Sequence, residues 1–257
     1  MTDWAAVISN DCAVPDDLDT ALDELVLMLA AADPVVRDEQ AYRVLATWIR
    51  RGVLDDRLAA LGDAMVERLR HPEIQARTFA ALILAAVLER HPPSERRWLA
   101  EFTAWWPAEE DTRGWDEHLG WLHAVAHGAD LAASFGARLP AEDLPDLLAT
   151  IARRVVAPTS YRYEQMEEDR VAEAAVRILR RPELTASAAT GWLETVDELF
   201  ATGEPGPLPV PVANTLAVLR ATYVMADRHA LHHRTAVTDA IAARLHLAFD
   251  AYPATRG

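Results

Sequence analysis

The chain has 257 residues, 51% hydrophobic and 25% charged, with 25 basic against 40 acidic side chains and a formal charge of −15. These proportions leave room for a continuous apolar core, while the acidic balance opposes the cationic contacts that nucleic acids and anionic membranes require. All 25 basic residues are arginine, which removes Schiff-base lysine chemistry and the lysine of a phosphate loop; Cys12 stands alone, which removes an internal disulfide and a thiolate cluster.

The opening "MTDWAAVISNDCAVPDD" lacks the basic start and apolar run of a secretory leader. No stretch reaches the roughly 18 consecutive apolar residues of a membrane span. A cytoplasmic location is the expectation. Helix signals then follow with short breaks. In 33–52, Asp33 caps, Pro34 suits the first turn and Gly52 suits the exit, while Ala41, Val44, Leu45, Trp48 and Ile49 build one apolar face. Helices are predicted next over 55–71, 74–91 and 95–106. After the segment 113–136 come 141–156, 164–181, 185–200, 212–231 and 235–252. The Pro/Gly-rich 201–211 reads as a loop and 157–169 as a longer loop, while 212–250 reads as capping helices.

These helices fall into hairpins beginning near residues 18, 55, 94, 141 and 185, a period of about 40. A hairpin with one apolar face must stack on neighbours. The expected fold is all-α, a superhelix of antiparallel hairpins of HEAT or armadillo type forming a single domain over 1–257. A compact orthogonal bundle is the alternative.

The segment "RGWDEHLGWLHAVAHGADLAASFG" concentrates the chemistry. Read as a helix over 117–134, it places Leu119, Leu122, Val125, Ala126, Ala129 and Ala133 on a core side. His123, His127, Asp130 and Ser134 share another side, at spacings of four, three and four. Gly120, Ala124 and Gly128 form a strip of small residues beside them. Mid-helix glycine costs about 1 kcal/mol against alanine, so close approach by a helix or a ligand is expected there. Two imidazoles and a carboxylate with Trp121 or Trp115 at the rim suit ligand hydrogen bonding, proton transfer or, with Asp130 as third ligand, a divalent metal. The same pattern also suits plain helix packing with satisfied histidines.

Other residues read more plainly. Glu167, Glu168 and Asp169 suit a helix start, with Arg170 available to organise a site; His229, His232 and His233 suit a helix end. Asp38 and Tyr42 from the first hairpin, and Asn214, Arg220 and Tyr223 from a late helix, are placed to line the same groove. No nucleophile elbow or HExxH is present.

"RDEQAYRVLATWI", "GWLHAVAHGADL" and "EEDRVAEAAVRILRRPEL" followed by "GWL" resemble a bacterial family known as domain of unknown function 2785, from about residue 20 to about residue 230. The Gly-Trp-x-His-x-x-x-His-x-x-Asp element is its most specific part, here Gly120, Trp121, His123, His127 and Asp130. The resemblance implies a HEAT-like helical fold and no activity. Some HEAT-like proteins are alkylpurine glycosylases, a reading that the charge of −15 opposes.

The function expected is therefore a binding module. It holds a small molecule or peptide in a concave groove through Trp121, His123, His127, Asp130, Arg170, Tyr42, Asn214 and Tyr223. The alternative is an enzyme using His123 or His127 as acid or base, oriented by Asp130. No cofactor is expected, with a divalent metal on His123, His127 and Asp130 as the variant reading. Neither nucleic acid nor membrane is expected as a partner, and the oligomeric state is left open.

Overall fold

The computed structural model describes residues 2–91, 96–201 and 206–251. The chain is mostly helical. Helix α1 (Trp4–Ser9) and α2 (Leu18–Met28) lead into a wider, π-type segment (Val35–Tyr42) that runs without a break into α3 (Arg43–Arg51). Then come α4 (Leu58–Arg68), α5 (Ile74–Arg90) and α6 (Arg96–Ala108). A two-stranded ribbon of β1 (Trp115–Asp116) and β2 (Gly120–Trp121) precedes α7 (Ala124–Arg138). Helices α8 (Leu144–Val156), α9 (Glu167–Leu179), α10 (Ala186–Gly191), α11 (Glu194–Phe200), α12 (Val210–Arg228) and α13 (Arg234–Ala251) complete it.

Local chemistry explains several boundaries. Asp17 caps α2 by accepting from the Thr20 amide at 3.1 Å, and Thr185 caps α10 through the Ala188 amide at 3.1 Å. Gly52 ends α3 at φ 76°, a conformation that favours glycine. Two expectations need correction. The helix read over 185–200 is two, α10 and α11, separated at Trp192 and Leu193. The winding read as ordinary helix from residue 35 is π-type until Tyr42, a rare form. Residues 92–95, which include the first residue of the helix read over 95–106, residues 202–205 of the expected loop, and residue 252 at the end of the helix read over 235–252 lie outside the described residues.

Successive hairpins pack side by side in two layers. One layer is α3, α5, α7, α9 and α12; the other is α4, α6 and α8, continued by α10 and α11 and then α13. Helices within the first layer run in the same direction. His127 meets Thr78 at the start of α5 and Arg138 meets Glu89 at its end, both 49 residues apart. Likewise α7 meets α9 through Asp130 and Arg170 early, and through the Gly136 carbonyl and Arg181 late, at 2.7 Å. A continuous cluster of buried apolar side chains runs from Trp4 to Ala248. At its centre Phe102 stacks on Trp106 and Phe135, each at 5.5 Å. No helix among the described residues is long and apolar enough to cross a membrane.

Three arginines with little or no exposure brace the packed elements. Arg154 donates to the Trp106 and Glu109 carbonyls at 3.0 and 2.7 Å. Arg77 grips Glu109 with two hydrogen bonds of 2.7 and 2.9 Å. Arg37 is wholly buried and belongs to the site below.

Candidate functional site

Residues 117–123, expected as the first two turns of a helix, instead form the ribbon and its exit. The cause is local. Asp116 accepts from the amides of His118 and Leu119 at 2.9 and 3.0 Å, which closes a tight turn in place of a helical one. Gly120 sits at φ 70°, outside the helical region. Arg37 reaches from the π-type segment to the carbonyls of Leu119 and Trp121 at 2.6 and 3.3 Å, and to that of Ala31 at 3.2 Å. Its Nε lies 2.7 Å from Asp38. The carbonyls of the ribbon thus have a cationic partner, and α7 starts only at Ala124.

His123 stands immediately before α7 in the left-handed region, φ 51° and ψ 36°. A non-glycine residue there is unusual and is held by its surroundings. Its ring stacks flat on Trp121, with centroids 4.5 Å apart and planes 6° apart. Trp115 meets Trp121 edge-on at 4.7 Å, and both indoles are exposed. His127 lies one turn into α7, 5.5 Å from His123 and edge-on to Phe79 at 5.3 Å. The expected pairing of His123 with His127 is therefore present although the helix beneath His123 is not.

The two imidazoles have different partners. His127 Nδ1 is 3.2 Å from the Thr78 carbonyl. A carbonyl only accepts, so Nδ1 carries the proton and Nε2 the lone pair. Burial, reinforced by the charges of His123 and Arg170, pushes His127 down to about 3, so this ring is neutral at pH 7. His123 Nδ1 is buried 3.7 Å from Glu167 Oε1, and neither atom has a hydrogen-bond partner. Glu167 is the first residue of α9 and is wholly buried. Burial alone would raise its carboxyl, but His123 and the Gln165 amide outweigh that and hold it below the usual glutamate range. Its Oε2 accepts from the amides of Glu164 and Gln165 at 3.1 and 2.7 Å.

Asp130 does not orient either histidine. Arg170 Nε donates to its Oδ1 at 2.9 Å and Nη2 to its Oδ2. Burial pushes the Asp130 carboxyl up, and Arg170 offsets only part of this. Tyr42, Asp130 and Arg170 do meet in one place. With Arg50, Glu89, Ser134 and Arg177 they line a recess of about 260 Å³ whose walls come from α9, α7, α5 and the π-type segment running into α3. Asn214 is elsewhere: it is buried, accepts from the Tyr163 amide and donates to the Tyr161 carbonyl, each at 3.0 Å, and so pins the 157–166 loop. Tyr223 is exposed on α12 and outside the lining of the recess. A larger and more open depression of about 540 Å³ lies along α5 and α6. Its carboxylates Glu101 and Glu109 are already committed to Arg70 and Arg77, and it holds no imidazole. Among the described residues, no group of three or more His, Cys, Asp or Glu side chains is placed to hold a metal ion.

Sequence reasoning missed Glu167 and Arg37. Glu167 carries the acidic signature of a helix start, which hides a buried partner for His123. Arg37 lies 82 residues from the carbonyl it holds, and no local pattern reports that. The fold and this cluster define a mostly helical, two-layer protein with a carboxylate–imidazole pair at the start of a central helix. Residues 65–224 match the family described as protein of unknown function (DUF2785), and the chain belongs to it. No curated protein and no solved structure matches the chain.

Proposed function

We propose that the chain is a HEAT-like ligand-binding module, holding a small molecule or peptide on the concave side of a superhelix centred on α7. The observation that supports it is the recess walled by successive elements of one layer, with Tyr42, Asp130 and Arg170 on its lining. Stacked parallel helices present extended binding surfaces of this kind, and polar groups converging in a small concavity fix a ligand's orientation. The charge of −15 supports a reading without nucleic acid.

The test is thermal unfolding of wild type and Ser134→Trp, which fills the recess, against a set of small carboxylates, phosphates and short peptides. Native mass spectrometry of gently purified protein accompanies it. A ligand at 100 times its Kd stabilises by about 2.7 kcal/mol, or roughly 5–10 °C for a chain of this size. The shift and any co-purified mass are lost in Ser134→Trp. The reading fails if wild type and variant behave alike across the whole set.

A second reading, acid–base chemistry on a small molecule, is favoured by one observation. Both histidines turn Nδ1 inward, His127 to the Thr78 carbonyl at 3.2 Å and His123 to within 3.7 Å of Glu167 Oε1.

A further inference from the structure

We propose that the Trp115–Trp121 face of the ribbon is a docking surface for an arginine-bearing peptide segment of another protein. The inference depends neither on the recess nor on the chemistry of the histidines.

The tryptophans divide into two sets. Six indoles are tied down. Trp48, Trp106 and Trp192 donate to backbone carbonyls, Trp98 and Trp105 to the carboxylates of Asp63 and Glu109 at 2.7 and 2.8 Å, and Trp4 to Glu24. Trp115 and Trp121 are 49% and 41% exposed, and neither indole N–H has an acceptor among the described residues. An exposed indole with a free N–H is matched by a partner that offers both apolar contact and a carbonyl, and a peptide offers both.

The face is built before a partner arrives. Trp115 and Trp121 are register partners in the ribbon, so their side chains leave on the same side. Their rings meet edge-on at 4.7 Å, and the His123 ring stacks on Trp121 at 4.5 Å. Behind them the ribbon is fixed. Leu122 is wholly buried with Ile74 and Ala124, a Cβ on Gly120 would fall 3.0 Å from Pro34 Cβ, and Arg37 holds two ribbon carbonyls. Little ordering is left to meet at binding. Two more exposed apolar side chains adjoin these contacts. Val35 follows Pro34, and Met166 follows Gln165, whose Cγ would lie 2.9 Å from a Cβ on Gly114. Three separate stretches of chain thus contribute, which suits an extended segment better than a small ligand.

Charge selects a cation. The arginines closest to the face are engaged, Arg113 by Asp111 and Asp116, and buried Arg37 by Asp38. On the same stretches Glu39, Glu117 and Glu164 are exposed and hold no arginine among the described residues, with Arg162 alone against them. The chain as a whole carries −15, which opposes a second copy as the occupant. Guanidinium stacks on indole while its N–H groups reach carboxylates, so arginine fits this combination better than lysine.

Fluorescence anisotropy on the full chain tests this, with fluorescein-labelled peptides of alternating Gly-Arg, Gly-Lys and Gly-Glu at physiological ionic strength. The arginine peptide is expected to bind, the lysine peptide about 3-fold more weakly, and the glutamate peptide not at all. Trp115→Ala decides the matter, because its indole is exposed and unbonded. Its Tm is expected to stay near that of wild type while binding weakens about 30-fold. Trp121→Ala is expected to weaken it similarly, and Trp121→Phe, which keeps a ring beside His123, less. Glu117→Gln with Glu164→Gln slows association and strips part of the salt dependence. Bound arginine peptide protects indole fluorescence from acrylamide. Arginine binding that survives Trp115→Ala and Trp121→Ala overturns the face, as does equal binding of the arginine and lysine peptides in both variants, which is bulk charge alone. Preference for the glutamate peptide overturns the cationic partner, and binding of no peptide overturns the peptide partner. A dimer that sediments in wild type and dissociates in Trp115→Ala gives the face to a second copy instead. Ser134→Trp, which fills the recess, is expected to bind as wild type does; loss there would move the peptide to the recess and overturn the ribbon as its seat.

Discussion

Replacing Gly128 by alanine separates helix propensity from packing. In an exposed helix the change is stabilising by about 1 kcal/mol. Here the added Cβ would lie 2.0 Å from Nε1 of Trp106, 2.2 Å from its Cδ1 and 2.6 Å from its Cε2. The indole has nowhere to go: it is wholly buried, stacked on Phe102, and donates to the Ala124 carbonyl at 3.2 Å. Overpacking costs about 1–3 kcal/mol, and a buried indole N–H left without its acceptor costs about 1–3 more. Against the propensity gain of about 1 kcal/mol, the net loss is about 1–5 kcal/mol, or roughly 2–20 °C in Tm. Urea denaturation and thermal circular dichroism read it directly. Gly191→Ala is the control, since nothing lies within 4 Å of its added methyl; it is expected to stabilise by about 0.4–1 kcal/mol. Gly128→Ala at or above wild-type stability would refute the account of α7 packed directly on Trp106.

Three further outcomes follow from the same structure. Arg37→Leu strands Asp38 and the carbonyls of Leu119 and Trp121, and is expected to cost about 3–5 kcal/mol in chemical denaturation. His127 gives a pH signature. Its folded value of about 3 lies below the ordinary 6.5, so its contribution is complete above 6.5 and is lost as pH falls towards 3, where only the unfolded chain takes up the proton. Subtracting the stability of His127→Gln from that of wild type at pH 7, 6 and 5 should leave a slope approaching 1.4 kcal/mol per pH unit below 6.5, and a flat difference would exclude the buried neutral ring. Asn214→Ala leaves the Tyr163 amide and Tyr161 carbonyl unpartnered, and is expected to cost about 1–3 kcal/mol by urea unfolding while leaving ligand shifts in the recess intact.

The helices were legible because apolar spacing and caps act locally. Asp33, Gly52 and the alternation of hairpins all report on neighbours in sequence, and the structure uses them as read. The segment 117–123 was not legible as a ribbon. Its Leu, Trp and His spacing fits a helix, and what defeats the helix is a turn at Asp116, a positive φ at Gly120 and a guanidinium from another part of the chain. For the site, His123 and His127 were found by their spacing of four and remain neighbours by a different geometry. Asp130 was assigned to them on helical spacing alone, and Arg170 takes it instead. Glu167, which faces His123 across space, looks in sequence like any acid at a helix start.

Arg37 also bears on where the protein can be cut. The stretch shared with the family begins at residue 65, yet the ribbon inside that stretch hangs on a guanidinium 28 positions before it. A fragment trimmed to 65–224 would lose the donor for two ribbon carbonyls, the Tyr42 wall of the recess and the Asp38 neighbour of His123. Family resemblance here marks only part of what must be kept together: the first helical hairpin is a structural component of the site, although no residue of it lies within the shared stretch.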